Sequence, residues 1–141
     1  MPTHGKATII PAMRYHNAPR AIDWLCDAFG FEKQLVVPGE EEGTIRHAQL
    51  TFGDSMIMLG SDRDNEFGEI QIAMPTRSTP TTQSAYVIVE DCDQHHARAV
   101  AAGAEVVMPP EDQDYGGRLY TCRDLEGHVW SFGTYDPWQE V

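Results

Sequence analysis

The residues best suited to chemistry lie two positions apart, at His47 and Gln49, inside the run Gly43 to Phe52 that is predicted to form a strand. Side chains at positions i and i+2 of a strand point to the same face. Because imidazole titrates near neutral pH, His47 is a candidate general base or a donor to a ligand oxygen. The alternative is a histidine that only lines a pocket or satisfies a backbone group.

Arg118 is the candidate for anion binding. It follows Tyr115, Gly116 and Gly117 and begins a predicted strand. The guanidinium fork can hold a carboxylate or a phosphate through two hydrogen bonds. The alternative is an arginine that pairs with one of the chain's own acidic residues, of which there are 22.

Three other reactive residues are weaker candidates. His95 and His96 are adjacent on a predicted helix, so they point to different faces and cannot chelate one metal together. A surface position is expected for His95. Cys122 lies beside a predicted hairpin, where nothing in the sequence lowers its pKa, and buried thiols are usually inert. None of the three predicts catalysis.

All these residues are positioned by a strand–helix–strand pattern that occurs twice. The first copy has an apolar strand from Ala7 to Met13 and a helix that begins after Asn17 and ends at Gly30. A second strand, Phe31 to Val37, then stops at Pro38. Asparagine is a good N-cap and glycine suits a left-handed C-cap. The pattern predicts a short amphipathic helix that covers one face of a sheet.

The second copy repeats this order. A strand from Ala85 to Val89 precedes a helix that begins at Asp91 and ends at Gly103, and Val106 to Met108 form a strand that stops at Pro109. Each copy is followed by a predicted hairpin. The hairpin strands are Gly43 to Phe52 with Ser55 to Leu59, and Arg118 to Arg123 with His128 to Thr134.

The predicted unit is therefore β-α-β-β-β, written twice, in an α+β fold. We expect a single domain over residues 1–141, with a first module at 6–60 and a second at 83–135. Residues 61–82 are polar and rich in threonine, and they are expected to form a linker or flap. A helix on one face of each sheet leaves the other face able to curl around a ligand.

The composition narrows the function classes. The formal net charge is −12 at pH 7, which would repel phosphate backbones, so no nucleic-acid partner is expected. No apolar stretch reaches the roughly 20 residues that cross a membrane, so no membrane partner is expected either. The polar N-terminus lacks the core of a secretion signal. Three cysteines without metal-type spacing favour reduced thiols and a cytoplasmic location.

A series of short motifs spans nearly the whole chain in a characteristic order. They are Arg20-Ala21-Ile22-Asp23-Trp24-Leu25, Phe29-Gly30-Phe31, His47-Ala48-Gln49-Leu50, Gly53-Asp54-Ser55-Met56-Ile57-Met58-Leu59, Val89-Glu90-Asp91, Ala102-Gly103-Ala104 and Asp124-Leu125-Glu126-Gly127-His128-Val129-Trp130-Ser131-Phe132-Gly133. With these motifs the chain resembles the vicinal oxygen chelate superfamily (glyoxalase/bleomycin resistance protein/extradiol dioxygenase), and within it the PhnB-like subgroup. The resemblance implies two modules that form cupped mixed sheets with helices on the outer face, in a protein that commonly forms a homodimer.

The resemblance also implies where a metal would bind. Metal enzymes of this superfamily place His or Glu ligands at four inward strand positions, which correspond here to Ile10, Gln49, Ser84 and Ser131. A divalent metal prefers imidazole, carboxylate or thiolate. No metal and no cofactor are therefore expected, and the usual metal-dependent chemistry is disfavoured. Strand parity places Tyr86 on the same side as Ser84.

The leading hypothesis is a protein that binds a small, partly aromatic molecule in a cavity between the modules without the family's usual metal. Bleomycin-resistance-type proteins, which sequester a cationic drug without chemistry, are the implied precedent. The predicted ligand contacts are Ile10, Gln49, Ser84, Tyr86, Ser131 and Arg118. The alternative is a metal-dependent or metal-free lyase, isomerase or dioxygenase that uses His47 as its catalytic residue. The sequence leaves open whether the chain is an enzyme.

Overall fold

The computed structural model describes residues 5–139, in two compact units that divide between Pro75 and Thr76. The first unit contains strand β1 (Ala12–Tyr15), helix α1 (Ala18–Phe29), strands β2 (Glu32–Pro38), β3 (Ile45–Phe52) and β4 (Ser55–Ser61), and a 3₁₀ turn (Phe67–Glu69). The second contains β5 (Ala85–Ile88), α2 (Cys92–Ala101), β6 (Glu105–Asp112), β7 (Arg118–Arg123) and β8 (Val129–Gly133).

Each unit forms one four-stranded mixed sheet. The strand order is β1-β4-β3-β2 in the first and β5-β8-β7-β6 in the second, so the two sheets have the same topology. The pairs β1–β4 and β5–β8 are parallel and the other pairs are antiparallel. The predicted α+β fold of two β-α-β-β-β modules is confirmed. Within residues 5–139, no helix combines the length and the apolar character needed to cross a membrane.

Helix α1 forms where its capping residues predict it. The Asn17 side chain accepts a hydrogen bond from the Arg20 N–H at 3.2 Å, and Gly30 closes the helix at φ 93°. The buried stripe consists of Ala18, Ala21, Ile22, Leu25, Ala28 and Phe29. It packs on the sheet face that carries the buried residues of β3 and β4, namely Ala48, Leu50, Ile57 and Leu59.

Helix α2 has the predicted N-cap but a different buried face. Asp91 accepts from the Gln94 N–H at 3.0 Å. His95, expected on the surface, instead lies in the helix–sheet interface, where its ring is 4.1 Å from the Phe132 ring and its Nδ1 is 2.5 Å from the Tyr120 hydroxyl. That expectation was wrong because α2 buries only small side chains, Cys92 and Ala99, and the imidazole packs against aromatic rings of the sheet.

Two strands differ from their predicted bounds. β1 begins at Ala12, not Ala7, because only residues 12–15 have ladder partners, on β4. β6 continues past Pro109 to Asp112. Its register moves from Met108 opposite Thr121 to Glu111 opposite Leu119. The two prolines therefore lie in an irregularity where no ladder N–H is required, which suits an edge strand.

Candidate functional site

The face of each sheet opposite its helix carries most of the predicted site residues. In the first sheet, Ala48 and Leu50 face α1, so the residues that alternate with them face the other way. We call this side face A; it consists of Ala12, Arg14, Glu32, Leu35, Val37, His47, Gln49, Thr51, Met56, Met58 and Gly60. Face B is the corresponding side of the second sheet and consists of Tyr86, Ile88, Glu105, Met108, Glu111, Leu119, Thr121, Arg123, Val129, Ser131 and Gly133.

His47 and Gln49 are joined by a hydrogen bond on face A. The His47 Nε2 lies 2.8 Å from Gln49 Oε1, and the Gln49 amide in turn donates to Gln34 Oε1. Because an amide oxygen can only accept, Nε2 of His47 carries the proton. The neutral ring then has its lone pair on Nδ1. This arrangement fixes the imidazole and leaves Nδ1 as the atom that could accept a proton or a hydrogen bond.

Arg14 lies on face A and is buried. Its guanidinium is 4.7 Å from the centre of the Phe67 ring. A Cβ on Gly60, its partner on β4, would lie 2.6 Å from the Arg14 Nη1. Burial, followed by the nearby Arg63, lowers the pKa of Arg14. The sequence signal for this placement was the glycine within an otherwise bulky strand.

The hydroxyl residues lie on or beside face B. Ser131 and Thr121 share a hydrogen bond of 2.8 Å between their Oγ atoms. Tyr86 is 40% exposed and its hydroxyl donates to the Tyr135 carbonyl at 2.6 Å. Ser84 is exposed, one residue before β5 begins. Face B therefore carries neutral hydroxyls and a phenol, together with the charged Arg123 on β7 and Glu105 and Glu111 on β6.

Arg118 lies on the opposite side of the second sheet from face B. Its Nε donates to Asp93 on α2 at 2.9 Å, and its Nη1 donates to Asp112 at 3.2 Å. These hydrogen bonds raise the pKa of Arg118. The alternative of an arginine paired with the chain's own acids is the arrangement observed, so we leave Arg118 out of the proposed ligand contacts.

The internal repeat identifies the position in the first module that corresponds to Ser131. In the second sheet, Phe132 on β8 lies opposite Val87 on β5. In the first sheet, Leu59 on β4 lies opposite Met13 on β1 in the same way, and both pairs are on the helix side. The preceding residues, Met58 and Ser131, are therefore equivalent. Met58 pairs with Gln49 on the neighbouring strand.

The residues at the implied ligand positions do not fit a divalent metal. In the first module, Ile10 provides an alkyl group, and the other position provides the amide of Gln49 or the thioether of Met58. In the second module, Ser84 and Ser131 provide hydroxyls. Such a set lacks the imidazole, carboxylate and thiolate donors that zinc or nickel prefers. Among residues 5–139, no three His, Cys, Asp or Glu side chains are grouped as a metal site would require.

The buried thiols are poorly suited to nucleophilic chemistry. Burial, with a smaller contribution from Asp124, raises the pKa of Cys122 to about 12. Burial also raises the pKa of Cys92. Because the thiolate is the reactive form, both residues stay protonated and inert at neutral pH.

Three comparisons relate the chain to known proteins. The family model described as Glyoxalase/Bleomycin resistance protein/Dioxygenase superfamily matches residues 11–132. The uncharacterized protein Rv0887c of Mycobacterium tuberculosis (strain ATCC 25618 / H37Rv) is 35% identical over 135 residues, which cover 93% of this chain and 77% of the relative. TioX from Micromonospora sp. ML1 is a solved structure with 35% identity and a TM-score of 0.69, covering 90% of this chain and 97% of its own.

A more distant structure shows the fold alone. The glyoxylase/bleomycin resistance protein/dioxygenase domain from Frankia sp. EAN1pec has a TM-score of 0.69 at 14% identity, and the match covers 93% of this chain and 98% of that chain.

Proposed function

Because the chain belongs to the glyoxalase/bleomycin resistance protein/dioxygenase superfamily, we propose that it binds a small, partly aromatic molecule on the helix-free faces of its modules, without the metal ion that enzymes of the family use. The observation that carries this proposal is the chemistry of faces A and B. They combine thioethers, alkyl groups and a phenol with hydroxyl, amide and imidazole groups that can form hydrogen bonds.

Face A supports contact with an apolar or aromatic ligand. Met56 and Met58 are partly exposed there, and Leu35 is 43% exposed. Thioethers are polarizable and adapt to the shape of a bound ring. The His47–Gln49–Gln34 chain adds a fixed imidazole nitrogen and amide groups that would orient the ligand. A few placed polar groups within an apolar lining are typical of small-molecule sites.

Face B supports the same function with different groups. The phenol ring of Tyr86 offers a surface for stacking, and the Ser131–Thr121 pair offers hydroxyls. The PhnB-like subgroup, the homodimeric state and the cytoplasmic location stay predictions from the sequence.

A thermal-shift screen tests the proposal. A ligand at 100 times its Kd should stabilise the native state by about 2.7 kcal/mol, because it binds the folded chain and not the unfolded one. Met58→Lys on face A should abolish the shift for a compound bound there. Ile70→Lys is the control, since Ile70 is 80% exposed and lies outside the sheet. A library of aromatic compounds that produces no shift would count against the proposal.

A second candidate function is an enzyme that uses His47 as a base, and the hydrogen bond that fixes the His47 tautomer favours it. In that case, turnover of a substrate should vanish in His47→Ala while the far-ultraviolet circular dichroism is unchanged. Metal analysis of the purified protein is the companion measurement. Stoichiometric zinc, nickel, manganese or iron that is lost in His47→Ala would overturn the metal-free proposal.

A further inference from the structure

A loop of the first unit folds back along β1. We call this loop the strap; it runs from Asp62, the first residue after β4, to Met74, and it contains the 3₁₀ turn. The Gln71 side chain donates from its Nε2 to the Ala12 carbonyl at 2.8 Å. Ala73 is fully buried, and its N–H donates to Asp62 Oδ1 at 2.6 Å. The strap is therefore closed on itself and attached to β1, the outer strand of the sheet.

His16 joins the two ends of the strap. Its Nδ1 lies 3.0 Å from Asp62 Oδ2, and its Nε2 lies 2.8 Å from the Met74 carbonyl oxygen. A carbonyl oxygen and an ionised carboxylate can only accept hydrogen bonds, so both ring nitrogens must donate. An imidazole that donates from both nitrogens is the protonated, cationic form. The geometry of this junction is therefore that of a histidinium ion between two acceptors.

The charged groups near His16 come from β1, α1 and the strap. Asp62 is the carboxylate in contact with the ring. Arg63, the next residue, donates to the Arg46 carbonyl at 2.7 Å, and Arg14 on β1 interacts with both Arg63 and Asp62. The remaining charged side chains of the strap and of the first turn of α1 are exposed: Asp64, Glu66, Glu69 and Arg20. Asp62 is thus the group that favours a positive charge on His16, and Arg14 and Arg63 oppose it.

The strap covers the Arg14 end of face A. The ring of Phe67 has its centre 4.7 Å from the guanidinium carbon of Arg14. Arg14 is 8% exposed and Phe67 is 40% exposed, so the ring lies on the outside and the guanidinium beneath it. If the strap opened, Phe67 would move away and uncover the guanidinium. The strap therefore controls access to this cation.

We propose that His16 is a pH-dependent latch that holds the strap over Arg14. When the imidazole loses its second proton, one ring nitrogen presents a lone pair to an oxygen atom, and one of the two hydrogen bonds of the latch is lost. Protonation therefore favours the closed strap and deprotonation favours the open strap, over the range of about pH 5 to 8 in which imidazole changes its charge. This inference goes beyond the proposed function, because the latch needs no ligand.

Hydrogen exchange of the Ala73 N–H measures the opening of the strap. Its protection factor, corrected for the intrinsic effect of pH on exchange, should be about 3- to 5-fold higher at about pH 5.5 than at about pH 8. The expected change is small because the side chains of His16 and Asp62 are 58% and 36% exposed. The Gly30 N–H, which donates to the Cys26 carbonyl at the end of α1, is the internal reference and should show no such change.

Matched variants attribute the pH effect to the latch. His16→Gln removes the titrating ring, so the protection of the Ala73 N–H should become equal at the two pH values. Asp62→Asn supplies an amide that can donate to the Nδ1 of a neutral ring, so it should also abolish the difference. His96→Gln is the control, because it removes an imidazole from α2 in the second unit and should leave the difference unchanged. Circular dichroism of each variant confirms that the fold is intact.

The possible outcomes distinguish the latch from the proposed function. Protection of the Ala73 N–H that is equal at both pH values in the original chain, or higher at pH 8, would overturn the latch. A pH difference that persists in His16→Gln would also overturn it, as would a difference that disappears in His96→Gln. Because the exchange is measured without a ligand, failure of all aromatic compounds to bind would contradict the proposed function alone.

Discussion

Asp124 is a buried carboxylate that organises the turn between β7 and β8. It is 0% exposed, and its Oδ1 accepts hydrogen bonds from the Glu126 and His128 N–H groups at 3.0 Å each. Its Oδ2 accepts from the Trp130 indole N–H at 3.1 Å. One side chain thus fixes both the turn and the largest residue of the second core.

Asp124→Asn tests this role. An amide in place of Oδ2 would set one N–H donor against the Trp130 indole N–H, so a buried donor loses its acceptor. We expect the free energy of unfolding to fall by about 2–4 kcal/mol. Urea unfolding measures the change. In the Trp130→Phe background, the same substitution should cost less, and an equal cost in both backgrounds would contradict the role of the indole hydrogen bond.

The Cys122 thiol predicts how stability depends on alkaline pH. Its pKa is raised from 9.0 to about 12 in the folded state, so the unfolded chain releases the proton first. Stability from this group is complete below pH 9 and is lost as the pH rises from 9 towards 12, at up to about 1.4 kcal/mol per pH unit. Urea midpoints between pH 8 and 10 measure the slope.

Two variants isolate that thiol. Cys122→Ala should reduce the loss of stability between pH 8 and 10, although it lowers stability overall; the raised pKa of Cys92 leaves part of the slope in place. Cys26→Ala is the control, because Cys26 is only partly buried. The explanation fails if the slope is the same in Cys122→Ala as in the original chain.

At the scale of single elements, Gly127 shows how closely the segment after the first unit approaches the β7–β8 turn. Its φ is +100°, and a Cβ there would lie 2.5 Å from the Arg77 carbonyl oxygen. Arg123 donates to the Arg77 and Thr79 carbonyls at 3.1 and 3.4 Å. Part of the predicted linker is therefore attached to the second sheet by hydrogen bonds.

Gly127→Ala should lower the free energy of unfolding by more than the strain of a positive φ alone explains. We compare it with Gly116→Ala, where φ is +109° but nothing lies within 4 Å of the added Cβ. Gly116→Ala should destabilise by about 1 kcal/mol from backbone strain. Gly127→Ala should cost about 2 kcal/mol or more, because the Arg77 backbone must also move. Equal losses in chemical denaturation would show that the contact with Arg77 is unimportant.

Sequence patterns predicted the elements well where caps and turns define them. Asn17 and Gly30 bound α1 as predicted, and β7 has the predicted limits. The patterns failed to predict strand limits that depend on pairing with another strand. β1, for example, begins at Ala12 because β4 pairs with it only from that residue. Prolines also misled the prediction of β6, since an edge strand can accommodate them in an irregular register.

The site was predicted less completely than the fold. Strand parity grouped His47 with Gln49 and Tyr86 with Ser84, because the period of two is local. It could not place Arg118, whose side depends on the register of β7 beneath α2. It also missed the hydrogen bond between Tyr86 and Tyr135, which are far apart in the sequence. The spacing Cys92, His95, Ala99 would have revealed the buried face of α2.

At the scale of the whole molecule, the net charge of −12 predicts a salt dependence. Like charges repel more in the compact state, and salt screens them over about 10 Å at 0.1 M. We expect the melting temperature to rise by a few degrees between about 10 and 200 mM sodium chloride. Differential scanning calorimetry measures the rise.

A charge variant provides the control for the salt effect. Glu40, Glu41 and Glu42 are exposed in the turn after β2. Replacing all three by lysine halves the formal net charge, because each change adds two positive charges to a total of −12. The rise in melting temperature with salt should therefore be smaller in this variant. A melting temperature that falls with salt in the original chain would contradict self-repulsion as the cause.

The prolines of β6 have a consequence for how the second sheet can associate with other chains. β6 lies at an outer margin of that sheet, and Pro109 and Pro110 give this margin two consecutive residues that have no amide hydrogen. An incoming strand would find no donors there, so the margin resists the edge-to-edge growth that precedes fibrils. The other margin of the sheet, β5, holds no proline and lacks this protection.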